Sequence, residues 1–217
     1  MLDTPIKHKF VSVEGPIGVG KTTLAKRLAQ SVGFRFITDT EHENPYLEKF
    51  YRDPDHYSFH TQIDFLLSRI RALETLLATP DSPGFVADFF LAKDRLFAAT
   101  TLDEQEYQMY ETLYRRLCEN LPSPDLVIYL QAPVEILINR IEKRGLRFEQ
   151  RMDSSYLQRI IDGYEAYFHH YDRSPLLVVN ASSINLAENQ QDYNNLLNNI
   201  AEISAGRHYL NPIAEIS

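Results

Sequence analysis

Only one cysteine, Cys118, and no tryptophan occur in the 217 residues. A lone cysteine excludes an intrachain disulfide framework and any all-cysteine metal site. Long apolar runs are missing as well. No stretch approaches the roughly 20 residues of a membrane-spanning helix, so neither an integral helical membrane protein nor a membrane partner is expected. The opening MLDTPIKHKF lacks the apolar core of a signal peptide, which places the expected location in the cytoplasm. Positive charge is in short supply: 22 Lys and Arg against 30 Asp and Glu give a net charge of −8. A general binder of nucleic-acid polymers usually carries a basic face, so no such partner is expected. There is no Gly/Ser linker and no internal repeat, and the length suits a single domain spanning 1–217.

What the chain does have is alternation of short apolar runs with longer stretches of helical spacing, the rhythm of an α/β domain. Five strands are predicted: Lys9–Glu14, Phe34–Thr38, Gly84–Asp88, Leu126–Gln131 and Leu176–Asn180. Most are nearly continuous apolar runs, as parallel strands covered on both faces should be. Phe59, Ile63, Leu66, Ile70, Leu73 and Leu77 step by threes and fours and predict one long helix. Asp103 with Glu106 reads as a helix start, and Pro133 suits the first turn of a helix reaching Ile141. Leu157, Ile160, Ile161, Tyr164 and Phe168 give a further stripe. The sequence turns Asn- and Gln-rich after Ala181. A core of about 9–204 is expected, with 205–217 as a loosely held tail.

The most specific signal is Gly15-Pro16-Ile17-Gly18-Val19-Gly20-Lys21-Thr22, a full match to GxxxxGK[ST] between a predicted strand and a predicted helix. Glycines let main-chain N–H groups curve around phosphate oxygens, and the helix N-terminus adds partial positive charge. Lys21 can reach the terminal phosphates, Thr22 offers a hydroxyl to Mg²⁺, and Thr23 continues the turn. The expected ligand is ATP, or another nucleoside triphosphate, with Mg²⁺.

A phosphate loop alone does not name a reaction. Ligands of open α/β sheets sit beyond the carboxyl ends of the strands, where Asp39, Glu41 and Asp88 fall. A carboxylate there can accept a proton from an acceptor hydroxyl or hold the metal through water. Gln62 and Arg69, seven residues apart, project from nearly the same face of the long helix. An amide near an arginine suits the edge of a nucleobase, and Asp94 is a candidate to hold that arginine. A solvated polar helix edge would have the same spacing. Phe89 and Phe90 are candidates for an aromatic wall against a base. Between positions 140 and 151, Arg140, Lys143, Arg144, Arg147 and Arg151 outweigh Glu142 and Glu149. Such a segment, a lid over about 140–152, could neutralise charge on a transferring phosphoryl group.

Taken together, GPIGVGKTTLA, ENPYLEKFY, YSFHTQIDFLLSRIRA, DFFLAKDRLFA and RIEKRG with Glu149 resemble the deoxyribonucleoside kinase family, over about Lys9 to Asn180. The resemblance implies a five-stranded parallel sheet flanked by helices, a homodimer, and transfer of the ATP γ-phosphate to the 5′-hydroxyl of a deoxynucleoside with Mg²⁺. It implies that Gln62 binds the base edge, that Arg69 and Asp94 form the base-discriminating pair, and that Tyr51 and Glu149 hold the sugar 3′-hydroxyl. Arg140 and Arg144 would be lid arginines.

Three departures from the family pattern stand beside this. The catalytic glutamate falls on Asp39, with Glu41 as the alternative. The acidic-Arg-Ser motif reads Asp88-Phe89-Phe90, without its arginine. The lid's RGR becomes Arg144-Gly145-Leu146-Arg147, with Arg147 or Arg151 available in place of the displaced charge. Two rival readings follow. One is a nucleoside monophosphate kinase of the thymidylate type, which would need added positive charge at the acceptor. The other is a nucleotide-binding regulatory protein with reduced turnover, motivated by Phe89 and the altered lid.

Overall fold

Every residue of β1 (Phe10–Glu14) is buried, which fits a strand with neighbours on both edges and helices on both faces. In this computed structural model, which describes residues 6–38, 44–79, 81–146, 153–182, 186 and 189–211, β1 lies near the centre of a parallel sheet. The other strands are β2 (Arg35–Ile37), β3 (Phe85–Ala87), β4 (Leu126–Gln131), β5 (Leu176–Asn180) and β6 (Arg207–Leu210), in the order β2-β3-β1-β4-β5-β6. The five expected strands are all present, within one residue at either end. The count is corrected to six.

The sixth strand lies in the segment expected to be a loose tail. Leu176 pairs with Arg207 and Val179 with Leu210, so β6 extends the sheet beside β5. Arg207 anchors it by donating to the carbonyls of Phe168 and His169 at 2.6 and 2.9 Å. RHYL carries no apolar run because an edge strand, paired on one side and half exposed, has little surface to bury.

The helices are α1 (Lys21–Val32), α2 (Leu47–Arg52), α3 (Pro54–Leu77), α4 (Lys93–Thr101), α5 (Glu104–Cys118), α6 (Val134–Arg144), α7 (Ser154–His169) and α8 (Gln190–Glu202). The long stripe from Phe59 becomes α3. Asp103 and Glu106 form a reciprocal capping box at the start of α5, as their spacing suggests. Pro133 sits at the N-cap of α6, and that helix runs on to Arg144. Tyr193, Leu196, Leu197 and Ile200 form the buried stripe of α8, which Asn- and Gln-rich neighbours mask in the sequence.

Alternation along the strands feeds two cores. Leu126, Ile128 and Leu130 of β4 and Leu177 and Val179 of β5 join α1, α6 and α8 on one face. Val127, Tyr129, Leu176 and Val178 meet Ile160, Tyr164 and Phe168 of α7 on the other. The strands that follow β1 lie first on one side of it (β2 and β3) and then on the other (β4, β5 and β6), so the winding of the sheet reverses beside β1. The crevice at the carboxyl ends of these strands is therefore the place for a ligand. No helix among the described residues is long and apolar enough to cross a membrane.

Candidate active site

The phosphate loop joins the end of β1 to the start of α1, as its flanking pattern predicts. Gly15 has φ +146°, and a Cβ there would lie 2.4 Å from the Leu130 carbonyl oxygen, so the loop can pass β4 only with glycine. Gly20, at φ +103°, turns the chain into α1 in a conformation that side chains avoid. Pro16 and Val19 are buried, Ile17 and Gly18 half-buried, and Thr23 is exposed on the first turn of the helix. Lys21 folds back over its own loop, donating to the carbonyls of Gly15 at 2.8 Å and Pro16 at 3.1 Å.

Strand order brings the end of β3 beside this loop. Asp88 Oδ2 accepts from Thr22 Oγ1 at 2.6 Å and from Thr38 Oγ1 at 2.9 Å. The two expected metal-side residues, Thr22 and Asp88, are thus in direct contact. Their hydroxyl and carboxylate oxygens are the hard donors that Mg²⁺ takes.

Phe89 and Phe90 do not form a wall against a base. Phe89 is 1% exposed and packs among Phe10, Ile37, Leu73 and Ala87. Phe90 lies among Phe168, Tyr171 and Tyr129. The path of the chain past β3 explains this: the Phe89 carbonyl accepts from Ser12 Oγ of β1 at 2.6 Å, drawing both side chains inward.

A buried network that sequence reasoning missed sits at the root of the loop. Glu14, the last residue of β1, is fully buried. Its Oε2 accepts from the Gly15 N–H at 3.0 Å and from the Tyr164 hydroxyl at 2.5 Å, and Lys93 Nζ lies 3.0 Å from its Oε1. Burial, followed by the Glu14 charge and hydrogen bond, raises Tyr164 well above the ordinary tyrosine range, so it stays a donor. Lys93 supplies a buried cation four positions after Phe89, where the family motif has its arginine. Position 14 next to the loop was a signal for Glu14; nothing local marks Lys93 or Tyr164.

Away from the loop, α3 and α4 lie antiparallel and share two polar rungs. Arg69 of α3 forms an ion pair with Asp94 of α4, both almost wholly buried. Two turns away, Gln62 Nε2 donates to Thr101 Oγ1 at 3.3 Å. The expected pairing of Arg69 with Asp94 is therefore present, on the same helix face as Gln62. Among the described residues, Gln62 Oε1, Asp94 Oδ2 and the Tyr110 hydroxyl are buried without a hydrogen-bond partner. Tyr110, on α5, is held protonated by burial, which nearby Arg69 only partly opposes. Unfilled buried polar atoms in one neighbourhood mark a place for a polar ligand.

The ENPYLEKFY block closes this end. Asn44 Nδ2 donates to the Thr61 carbonyl at 2.9 Å, tying the segment before α2 to α3 beside Gln62. Tyr51 on α2 is half-buried with its ring against Phe50. At the other end, Arg140 donates to the Val19 carbonyl at 3.2 Å and the Ala181 carbonyl at 2.7 Å. Desolvation lowers its pKa from the ordinary arginine value. The guanidinium thus braces the phosphate loop against the turn after β5. Arg144 is exposed at the end of α6, where Gly145 caps the helix at φ +72°. Asp39, Glu41, Arg147, Glu149 and Arg151 lie outside the described residues.

A deoxyguanosine kinase of Bacillus subtilis (strain 168) is 34% identical over 200 residues, covering 89% of this chain and 97% of that protein. A deoxyadenosine/deoxycytidine kinase of the same organism is 33% identical, covering 91% and 94%. The solved structure of deoxyadenosine kinase from M. mycoides with bound dATP superposes with a TM-score of 0.76 at 26% identity, covering 88% of this chain and all of that one. Residues 11–204 match the family described as Deoxynucleoside kinase, and with a phosphate loop, a buried Arg69–Asp94 pair and this parallel sheet, the chain belongs to that family.

Proposed function

We propose that the chain transfers the γ-phosphoryl group of ATP, or of another nucleoside triphosphate, to the 5′-hydroxyl of a deoxynucleoside, with purines preferred. The carrying observation is the buried polar face of Gln62, Arg69 and Asp94 in a domain that also has a phosphate loop. An ATPase without a nucleoside acceptor would have no use for it. The purine preference rests on the relatives named for deoxyguanosine and deoxyadenosine.

In this reading Lys21 exchanges the Gly15 and Pro16 carbonyls for phosphate oxygens, and the loop N–H groups from Ile17 to Gly20 cradle the phosphates. Thr22 and, through water, Asp88 would hold Mg²⁺, which when bound offsets charge on the phosphates. Asp39 or Glu41 accepts the 5′-hydroxyl proton. Tyr51 and Glu149 hold the sugar, while Gln62 reads the base beside the Arg69–Asp94 pair. Arg144 and Arg147 supply positive charge to the transferring group, and Arg140 braces the loop that receives it.

Steady-state assays with the four deoxynucleosides test this, with Lys21→Ala as control. Phosphorylation of none above the control would overturn it. Activity on a deoxynucleoside monophosphate in place of the nucleoside would favour the thymidylate-type reading. Asp39→Asn and Glu41→Gln separate the two candidate bases: a large fall in kcat is expected from one only.

A homodimer is part of the proposal. Met109, Leu113 and Leu117 step by four along α5 and are exposed, as is Leu67 on α3. Apolar residues in such a row suit a second copy of the chain. Light scattering should give a dimer mass, and Leu113→Glu with Met109→Glu should give a monomer. A monomeric wild type would remove this part.

A further inference from the structure

Two polar rungs join α3 to α4, but only one of them has been given a purpose. At one rung, Asp94 fixes the direction of the Arg69 guanidinium. At the other, Thr101 meets Gln62, whose side chain is almost wholly buried. An amide has two chemically different ends of similar shape, so its usefulness as a reader depends on which end faces the ligand.

Thr101 settles that direction. Its hydroxyl has one proton, and that proton is donated to the Phe97 carbonyl one helical turn back, at 2.8 Å. With its proton there, the oxygen accepts toward Gln62. In that arrangement the Gln62 nitrogen faces Thr101, and Oε1 faces away, where no partner among the described residues meets it. A flipped amide would either set two acceptor oxygens against each other or draw the Thr101 proton away from the Phe97 carbonyl, and in both cases one bond is lost. What remains for a ligand is the free Oε1 and the second N–H of the amide, an acceptor beside a donor in a fixed order.

We propose that Thr101 is a positioning residue for base selection: it does for Gln62 what Asp94 does for Arg69, by fixing the amide so that Oε1 accepts an N–H from the nucleobase edge. This rests on the reading of Gln62 as the base-edge residue. Both partners of the base-reading face are then oriented by α4, from residues two turns apart on one side of that helix. Thr101 touches neither nucleoside nor ATP in this scheme and acts only through Gln62.

The test compares wild type, Thr101→Val, Thr101→Ser and Gln62→Leu in kcat/KM for deoxyguanosine, deoxyadenosine, deoxycytidine and thymidine. Valine keeps the shape of threonine and removes the acceptor; serine keeps the acceptor. For Thr101→Val, KM for the preferred nucleoside should rise about 3- to 10-fold, the worth of one ordinary hydrogen bond. The ratios among the four nucleosides should change, while KM for ATP stays as in wild type. Thr101→Ser should restore the wild-type ratios. A uniform fall for all four nucleosides, or no change, would overturn the role of Thr101. Should Gln62→Leu itself leave the ratios unchanged, the reading of Gln62 fails first; if it alters them while Thr101→Val does not, only Thr101 is lost. Thermal melting of each variant separates these outcomes from misfolding, and serine provides a folded comparison if valine does not.

Discussion

Lys93 and Asp94 are neighbours at the start of α4, yet they serve opposite kinds of network. Lys93 reaches Glu14 at the root of the phosphate loop, where one carboxylate oxygen takes a main-chain N–H and a tyrosine hydroxyl and the other faces the ammonium. The protein's own groups neutralise the charge of that cluster, with Glu14 Oε1 in ion-pair range of Lys93 but without an aligned hydrogen bond. Asp94 reaches Arg69, and there Asp94 Oδ2, Gln62 Oε1 and the Tyr110 hydroxyl are left without partners among the described residues. A buried cluster whose charges are paired within the protein holds the backbone in shape. An open one keeps its unsatisfied atoms for something else, and that difference is what separates scaffold from site.

Substitutions that break one network and spare the other sharpen this contrast. The largest effect is expected from Lys93→Met, which leaves Glu14 as an uncompensated buried charge and should cost about 3–5 kcal/mol in a denaturant titration. Saturating deoxynucleoside should still raise the melting temperature of that variant. Next comes Tyr164→Phe, expected to cost about 1.5–3 kcal/mol because it removes a hydrogen bond to a charged group. A loss near zero there would mean that the cluster is not paired as described. Asp94→Asn should show the converse pattern: a loss of similar size to Tyr164→Phe, about 1.5–3 kcal/mol, but with the stabilisation by deoxynucleoside abolished. In the wild type that stabilisation is about 2.7 kcal/mol at a hundred times Kd. Retention of the ligand-induced shift in Asp94→Asn would break the comparison. The smallest effect on stability is expected from Tyr110→Phe, which deletes a hydroxyl without a partner among the described residues, and from Gln62→Leu, which exchanges one long hydrogen bond and one unpartnered oxygen for buried apolar volume. Both should melt within about 0.5 kcal/mol of wild type, while Gln62→Leu loses base selection.

The phosphate loop was readable because its recognition is made by the backbone. Three closely spaced glycines, one lysine and one threonine specify both the curve and the charge, and the adjoining strand and helix announce themselves by apolar pattern. The same holds for the Asp103–Glu106 capping box and the α3 stripe. The Arg69–Asp94 pair was visible through family resemblance, and Gln62 was placed beside Arg69 by their seven-residue spacing on one helix. Glu14, Lys93, Tyr164 and Thr101 were not, because their meaning lies in contacts between residues up to 150 positions apart. Phe89 and Phe90 misled for the same reason: an aromatic pair after a strand can face a ligand or the core, and only the path of the chain past Ser12 decides. Arg140 looked like free lid charge and turned out to be braced on two carbonyls. β6 escaped notice because edge strands need few apolar residues.

By itself, then, the chain's scarcity of cysteine, long apolar runs and positive charge bounded what it can be, and GPIGVGKT specified a phosphate site through local backbone chemistry. Those are properties of short range, where neighbouring residues determine the conformation. Which acid meets Thr22, which cation neutralises Glu14 and which end of Gln62 faces outward were decided only by tertiary structure. Each depends on side chains from separate elements arriving at hydrogen-bonding distance, and packing of the sheet and helices sets that geometry.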